Sequence, residues 1–193
     1  MSKSRKVLLS ILVLGIAGSA AGFGVFSAFS STTTNAGNSF AAGTVNVGSN
    51  DAGQFLYNVS NQKPGDSVTK CIKVTYSGSL DSDVHLYTPD SVGSLGQYLD
   101  MTVTPGTQPG AAFPGCTGFT PDSGATAWSG TLAQFAAAKN SYANGLSFNP
   151  GGSTKWATSD SVVYRVSLSL QDTNSAKGAS TGAHSFVWEA RNQ

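Results

Sequence analysis

Apolar and polar residues alternate along much of the chain, which is the period-two pattern of β-strands with one buried face. The clearest alternating segment is 67–76, where Val68, Ile72 and Val74 share one face. Lys70 interrupts this apolar face, so we expect that end of the strand to lie at a sheet edge. The same reasoning predicts seven strands, over residues 40–47, 54–59, 67–76, 83–88, 98–104, 161–170 and 184–190.

One segment has the helical period instead. Leu132, Phe135 and Ala136 follow the i, i+3, i+4 spacing, and the neighbouring alanines favour a helix over residues 131–142. Residues 105–127 are rich in Pro and Gly and are predicted to form a long loop. Many short strands with one late helix predict an all-β fold, an antiparallel β-sandwich with one short helical insertion.

The amino-terminal segment has the layout of a secretory signal peptide. Lys3, Arg5 and Lys6 precede an uncharged apolar run that ends in small residues, so we expect cleavage between Ser27 and Ala28 and a secreted product. The apolar run has about 20 residues, which is also long enough to cross a bilayer as an uncleaved anchor. We expect the protein to contact a membrane only if this leader is retained. The predicted organisation is a signal peptide at 1–27, a flexible segment at 28–39 and a β-sandwich domain at 40–193.

Composition narrows the class of partner. Three of the 11 basic residues lie in the leader, so the mature chain carries eight basic and ten acidic residues, a net charge of −2. Without a basic stripe, we expect no nucleic-acid partner. A weakly charged chain with 23 glycines and many Ser, Thr and Asn residues is typical of an extracellular all-β domain.

The chain contains two cysteines, Cys71 and Cys116. In an exported protein an even pair predicts one disulfide, although two buried free thiols are the alternative. The bond would close a loop of about 45 residues and stabilise the fold by about 3–4 kcal/mol in the chain-entropy model.

Several short motifs, in order, resemble those of the TasA/camelysin family. They are the aromatic cluster at 26–29 (FSAF), the segment at 40–45 (FAAGTV), the turn at 58–66 (NVSNQKPGD), the turn at 77–80 (SGSL) and the closing strand at 186–190 (FVWEA). The resemblance covers the first ~85 residues and the last strand, whereas the two cysteines and the high Gly and Ser content depart from the Bacillus-type pattern.

The resemblance implies a jelly-roll-like domain, removal of the leader by a SipW-type signal peptidase, and assembly into fibres of the extracellular biofilm matrix or cell surface. The partner would then be a second copy of the chain, to which the freed amino-terminal segment adds as a strand. The segment begins at Ala28, lacks proline and is rich in β-tolerant residues; a disordered tail is the alternative. The candidate donor residues are Ala28, Phe29, Ser30, Thr32 and Thr34.

Residues suited to chemistry are few. The camelysin side of the family is described as metalloproteases, but the chain has no HExxH motif, and His184 and Glu189 would lie on opposite faces of a strand. We therefore expect no catalytic residues, no cofactor and no zinc site. Asp81 and Asp83 are a weak calcium candidate, for which a solvated turn is the alternative.

Two other functions stay open beside a fibre subunit: a camelysin-type extracellular metalloprotease and a monomeric glycan-binding module. Aromatic side chains could line a glycan-binding face, although aromatic residues on half-buried strands more often fill the core. The aromatic residues concerned are Tyr57, Tyr76, Tyr87, Tyr164, Phe186 and Trp188.

Overall fold

A computed structural model of the protein describes residues 42–122, 124 and 126–192. Within them the chain is mostly β, with one α-helix, which confirms the all-β prediction. The strands are β1 (Val47–Ser49), β2 (Ser67–Tyr76), β3 (Asp83–Tyr87), β4 (Leu99–Thr107), β5 (Thr120–Pro121), β6 (Trp128–Thr131), β7 (Leu146–Ser147), β8 (Ser161–Leu170) and β9 (Val187–Arg191), and the helix is α1 (Leu132–Ala138).

The strands form two antiparallel sheets. The six-stranded sheet has the order β1-β2-β8-β4-β5, with β6 also paired to β4, and the three-stranded sheet has the order β7-β3-β9. The long central pair β2–β8 runs in register from Ser67 opposite Ser169 to Thr75 opposite Ser161. These two ten-residue strands have the bounds that their alternating sequences predict.

The core consists of the inward faces of both sheets. Trp156 is fully buried, and its indole N–H donates to the carbonyl of Phe148 at 2.9 Å. Tyr76 and Tyr164 are also buried, and Tyr57, Phe186 and Trp188 pack against the same cluster. Most of the aromatic residues named above therefore fill the core, as the more common pattern predicts. Burial of each such side chain contributes about 1.5–3 kcal/mol.

Helix α1 lies where the spacing predicts it, but it is shorter than 131–142. A capping box starts it: Thr131 accepts from the Gln134 N–H at 3.2 Å, and the Gln134 side chain accepts from the Thr131 N–H at 2.7 Å. The helix ends at Ala138 because Lys139 leaves helical geometry, and its carbonyl instead accepts from the Thr88 N–H at 2.9 Å. A tertiary hydrogen bond has overridden local helix propensity.

Two predicted strands are wrong. Residues 54–59 form no strand, because their β-favouring side chains pack singly against the core or face solvent: Phe55 is 78% exposed. In the predicted strand 40–47, the described residues 42–46 are irregular and the strand begins only at Val47. The chain there contacts a turn instead, and the Ser79 N–H donates to the Thr44 carbonyl at 2.9 Å.

The predicted loop 105–127 contains sheet structure that its composition hides. Strand β4 continues through Pro105 and Gly106 to Thr107, and β5 pairs with its end. The close approach explains the glycine, since a Cβ at position 106 would lie 2.2 Å from the Thr120 carbonyl oxygen. Strands β6 and β7 are likewise additional, and the closing strand begins at Val187 rather than at residue 184.

Candidate functional site

A groove of about 270 Å³, with a mixed apolar and polar lining, lies between the two sheets at one side of the sandwich. One wall comes from β1 and Val74 of the six-stranded sheet, and the other comes from the start of β9 in the three-stranded sheet. The residues that line it are Val47, Gly48, Ser49, Asp51, Val74, Phe186, Val187 and Trp188. Its volume exceeds the roughly 150 Å³ in which a benzene ring can be held.

Both walls of the groove are sheet edges. Within the described ranges, β1 pairs only with β2, and β9 pairs only with β3, so each is the last strand of its sheet on this side. An edge strand presents main-chain N–H and C=O groups that can pair with another strand. The groove therefore combines a partly apolar lining with two edges able to form a β-ladder.

Aromatic packing fixes the Phe186 wall of the groove. The Phe186 ring meets the rings of Phe135, His184 and Tyr57 at centroid distances of 6.0, 5.9 and 6.2 Å. The Tyr57 hydroxyl is hydrogen-bonded to His184 Nε2, and burial raises the pKa of Tyr57, so this hydroxyl stays protonated. The irregular segment at 54–59, predicted as a strand, is thus a support for the groove.

The predicted disulfide is present. Cys71 on β2 is bonded to Cys116 in the segment between β4 and β5, with 5.2 Å between the two Cα atoms. Cys71 is almost fully buried. The bond attaches the long β4–β5 connection to the outer face of the six-stranded sheet.

The calcium candidate stays a prediction. Asp83 lies at the start of β3, where its carboxylate binds Lys155 Nζ at 2.6 Å, and Asp81 is exposed on the preceding turn. Lys155 would have to leave before Asp83 could bind a cation, which weakens the candidate. The predicted cleavage and donor residues Ser27, Ala28, Phe29, Ser30, Thr32 and Thr34 lie outside the described residues.

A polar network on the outer face of β3 and β9 was missed at the level of sequence. The register of the two strands puts His85 opposite Glu189. Glu189 accepts from Arg191 Nε and from the Tyr87 hydroxyl, each at 2.7 Å, and these two partners lower the pKa of its carboxyl. The network could have been predicted only from the pairing of β3 with β9, because the residues of the two strands lie about a hundred positions apart in the sequence.

Comparison with known families confirms the resemblance to the camelysin family. The family model described as camelysin metallo-endopeptidase matches residues 3–99, half of the chain. The chain belongs to the camelysin family. The match includes β1, β2, β3 and the turn before β2, so one wall of the groove lies within the family segment. No curated protein matches the chain.

The name of the family implies a metal ion, but the residues do not fit a zinc site. His85 Nδ1 contacts the Tyr142 carbonyl at 2.7 Å, His184 is bonded to Tyr57, and both oxygens of Glu189 have partners. Catalytic zinc needs three converging protein ligands. The described residues contain no group of three or more His, Cys, Asp or Glu side chains able to hold a metal, and residues 1–41 contain none of these residue types.

Among the described residues, no helix combines the length and the apolar character that a membrane span requires.

Proposed function

We propose that this camelysin-family protein is a secreted structural subunit of extracellular fibres. In the assembly, residues 28–39 of one processed copy add as a strand in the groove between β1 and β9 of the next copy. Repetition of this head-to-tail contact gives an open filament, because the donating and the receiving surfaces differ. No step of the proposal requires covalent chemistry at the groove.

The observation that carries the proposal is the groove itself, in a chain of this family. Its lining includes the apolar side chains of Val47, Val74 and Phe186, and on each side it is bordered by an edge strand that has one open side among the described residues. Strand addition draws its affinity from main-chain hydrogen bonds and its specificity from alternate side chains that enter pockets. A groove with both features suits a donated strand better than a small polar ligand.

The sequence of residues 28–39 matches what the groove offers. The segment has no charged residue and no proline, so every residue can donate its main-chain N–H to a ladder. Phe29 supplies a large apolar side chain for the groove, and Thr32 and Thr34 follow on alternate positions with good β propensity. The groove volume is sufficient for an aromatic ring.

Electron microscopy of the mature protein tests the proposal. Protein that begins at Ala28 is expected to form filaments, whereas protein that keeps its leader, or lacks residues 28–38, is expected to remain unassembled. A Ser49→Leu variant should also lose assembly, because Ser49 lines the groove opposite the inward-facing Val74 and the larger side chain would occupy the groove. Ser129→Leu, at an exposed position of β6, is the matched control and should assemble normally.

Unchanged filaments after deletion of residues 28–38 would contradict the proposal. A casein-cleavage assay with and without a chelator tests the activity that the family name implies. Chelator-sensitive cleavage by the purified protein would favour a metallo-endopeptidase, and we expect no such cleavage because the donor set does not converge.

A further inference from the structure

The free edge of β2 continues beyond β1. Tyr76 N–H donates to Asp160 and Cys71 N–H to Pro114, so even-numbered residues of β2 direct their main-chain groups toward β8 and odd-numbered residues direct theirs away from it. The outward groups therefore belong to Ser67, Thr69, Cys71, Lys73 and Thr75. Strand β1 is only three residues long and reaches no farther along β2 than Val74.

Irregular segments cover part of this remaining edge. The Asn50 N–H donates to the Lys73 carbonyl at 3.1 Å, and Asn50 Oδ1 accepts from the Lys73 N–H at 2.9 Å. The Cys71 N–H donates to the Pro114 carbonyl at 3.1 Å. Ser67 and Thr69 are exposed, and no residue among 42–122, 124 and 126–192 pairs with their outward main-chain groups.

The segment 111–116, which we call the edge cap, occupies the position that a neighbouring strand would take beside Cys71. Asn50 Nδ2 donates to its Ala111 carbonyl at 3.3 Å, and Gln108 Nε2 donates to its Gly115 carbonyl at 3.0 Å. The edge cap is also attached covalently, through the disulfide between Cys116 and Cys71. Cys71 is the residue whose main-chain N–H the cap covers. The bond thus holds the cap directly against the edge.

We propose that the edge of β2 from Ser67 to Cys71 is a second strand-accepting surface, and that the disulfide-held edge cap keeps its Cys71 end closed. An external dithiol that is itself oxidised to a disulfide supplies the two electrons and two protons that convert Cys71–Cys116 to two thiols. This reduction frees the cap, and the edge then pairs with residues 28–39 of a second copy. The identity of this occupant rests on the proposed function, whereas the opening of the edge does not. Oxidised protein accepts one strand and grows linearly. Because each copy donates only one segment, a reduced copy that accepts two segments becomes a branch point of the assembly.

Charge and length select the occupant. Strand β2 carries Lys70 and Lys73, so pairing of two β2 edges would bring like charges together, which disfavours edge-to-edge contact. Residues 28–39 carry no charge, and their twelve positions exceed the five positions from Ser67 to Cys71. An uncharged extended segment is therefore the better partner of this edge.

Hydrogen exchange tests the cap independently of assembly. In mature protein lacking residues 28–38, reduction should speed exchange of the Cys71 N–H by about tenfold or more, while the N–H of Ile72, which faces β8, keeps its protection. A Cys71→Ser/Cys116→Ser variant should show the same contrast without reductant. Equal acceleration at both positions, or none at Cys71, would overturn the proposed opening.

Binding of a synthetic peptide of residues 28–39 to the same protein tests the acceptor. One peptide is expected on the oxidised form and a second on the reduced form. Thr69→Pro should remove the second site alone, because it deletes an outward N–H that β8 does not use. Thr69→Ala is the matched control: it also loses the 2.9 Å contact with the Ser167 hydroxyl, but it keeps the N–H and should retain both sites.

The outcomes separate the two proposals. A single peptide in both redox states would overturn only the second acceptor, since the groove between β1 and β9 would still be occupied. Failure of the peptide to bind either form would overturn the donor role of residues 28–39 and with it the proposed function.

Discussion

At the scale of single residues, the turn Lys63–Asp66 explains why its four residue types occur together. Gly65 has φ of +85°, which favours glycine, and the Asp66 N–H closes the turn on the Lys63 carbonyl at 3.0 Å. The Asp66 carboxylate accepts from the Lys63 N–H at 3.0 Å, and this bond, aided by the Lys63 ammonium group, lowers the pKa of Asp66. The turn directs the chain into β2, because the Gly65 N–H also binds the Leu170 carbonyl at 2.9 Å.

We expect Gly65→Ala to lower the free energy of unfolding by about 1–2 kcal/mol, since a Cβ is unfavourable in the left-handed region. Urea denaturation measures the change. Gly48→Ala is the matched control, because its φ is not left-handed and its new Cβ would meet no atom within 4 Å. Equal losses of stability in the two variants would show that the strain at Gly65 is not the cause.

Glu189 gives a prediction about acid stability. Arg191 and Tyr87 favour its charged form in the folded protein, so its folded pKa lies below its unfolded value, near 4.3. The resulting stability is present above that unfolded value and is lost as the pH falls through the lowered folded pKa. Because both partners are partly exposed, the effect is small, about 0.5 kcal/mol at neutral pH.

Urea denaturation from pH 7 to pH 2 should therefore show Glu189→Gln slightly less stable than the unmodified protein at pH 7 and equal to it near pH 2. Asp81→Asn, which removes an exposed carboxylate from the turn before β3, is the control for general charge effects. A deficit of Glu189→Gln that grows toward acid pH would contradict the assigned sign.

At the scale of elements, sequence patterns predict the long strands and miss the short ones. Strands β2 and β8 have strict alternation over ten residues, so the buried face alone specifies them. Strands β5 and β7 have two residues each and form only because β4 and β3 lie beside them. Residues 54–59 have β propensity but no strand neighbour, and propensity without a partner is insufficient.

The groove could not be predicted from the sequence either, because it depends on which strands lie next to each other. Its two walls, β1 and β9, lie near opposite ends of the described chain, and no local pattern indicates that they meet. The disulfide was predictable because the chain has two cysteines and its amino-terminal segment predicts export, where such a pair is oxidised. The edge cap that this bond holds was not predictable, because a Pro- and Gly-rich composition indicates a loop but does not indicate which strand edge the loop covers.

Helix α1 offers a test at this scale. It has only seven residues, so its capping box supplies a large part of its local stability. We expect Thr131→Ala to lower the free energy of unfolding by about 1 kcal/mol, measured by urea denaturation. Ser129→Ala is the matched control: Ser129 is exposed in β6, the strand that ends at Thr131, and its substitution should change stability little. A neutral Thr131→Ala would show that packing of Phe135 and Trp128, at a centroid distance of 5.2 Å, is sufficient to hold the helix.

At the scale of the whole molecule, low charge and open edges have a joint consequence. Residues 28–193 carry a net charge of only −2, and residues 28–39 have no charge. Long-range repulsion therefore gives little protection against self-association. What limits the contacts is local: β1, Asn50 and the edge cap cover parts of β2, and the groove remains accessible.

Assembly driven by main-chain hydrogen bonds and apolar burial should depend little on salt, because ionic strength screens only charge interactions. We expect the rate of filament growth, followed by light scattering, to change by less than about threefold between about 0.05 and 0.5 M NaCl. A charge introduced into the donor segment supplies the contrast. Thr34→Asp should slow growth, since it brings a negative charge to a groove that Asp51 lines, whereas Thr34→Val keeps the β propensity and should not. Salt screens the repulsion between the two carboxylates, so growth of Thr34→Asp filaments should also become salt-dependent. Strong salt dependence of the unmodified protein would mean that charged surfaces elsewhere, and not the uncharged donor in the groove, drive its assembly.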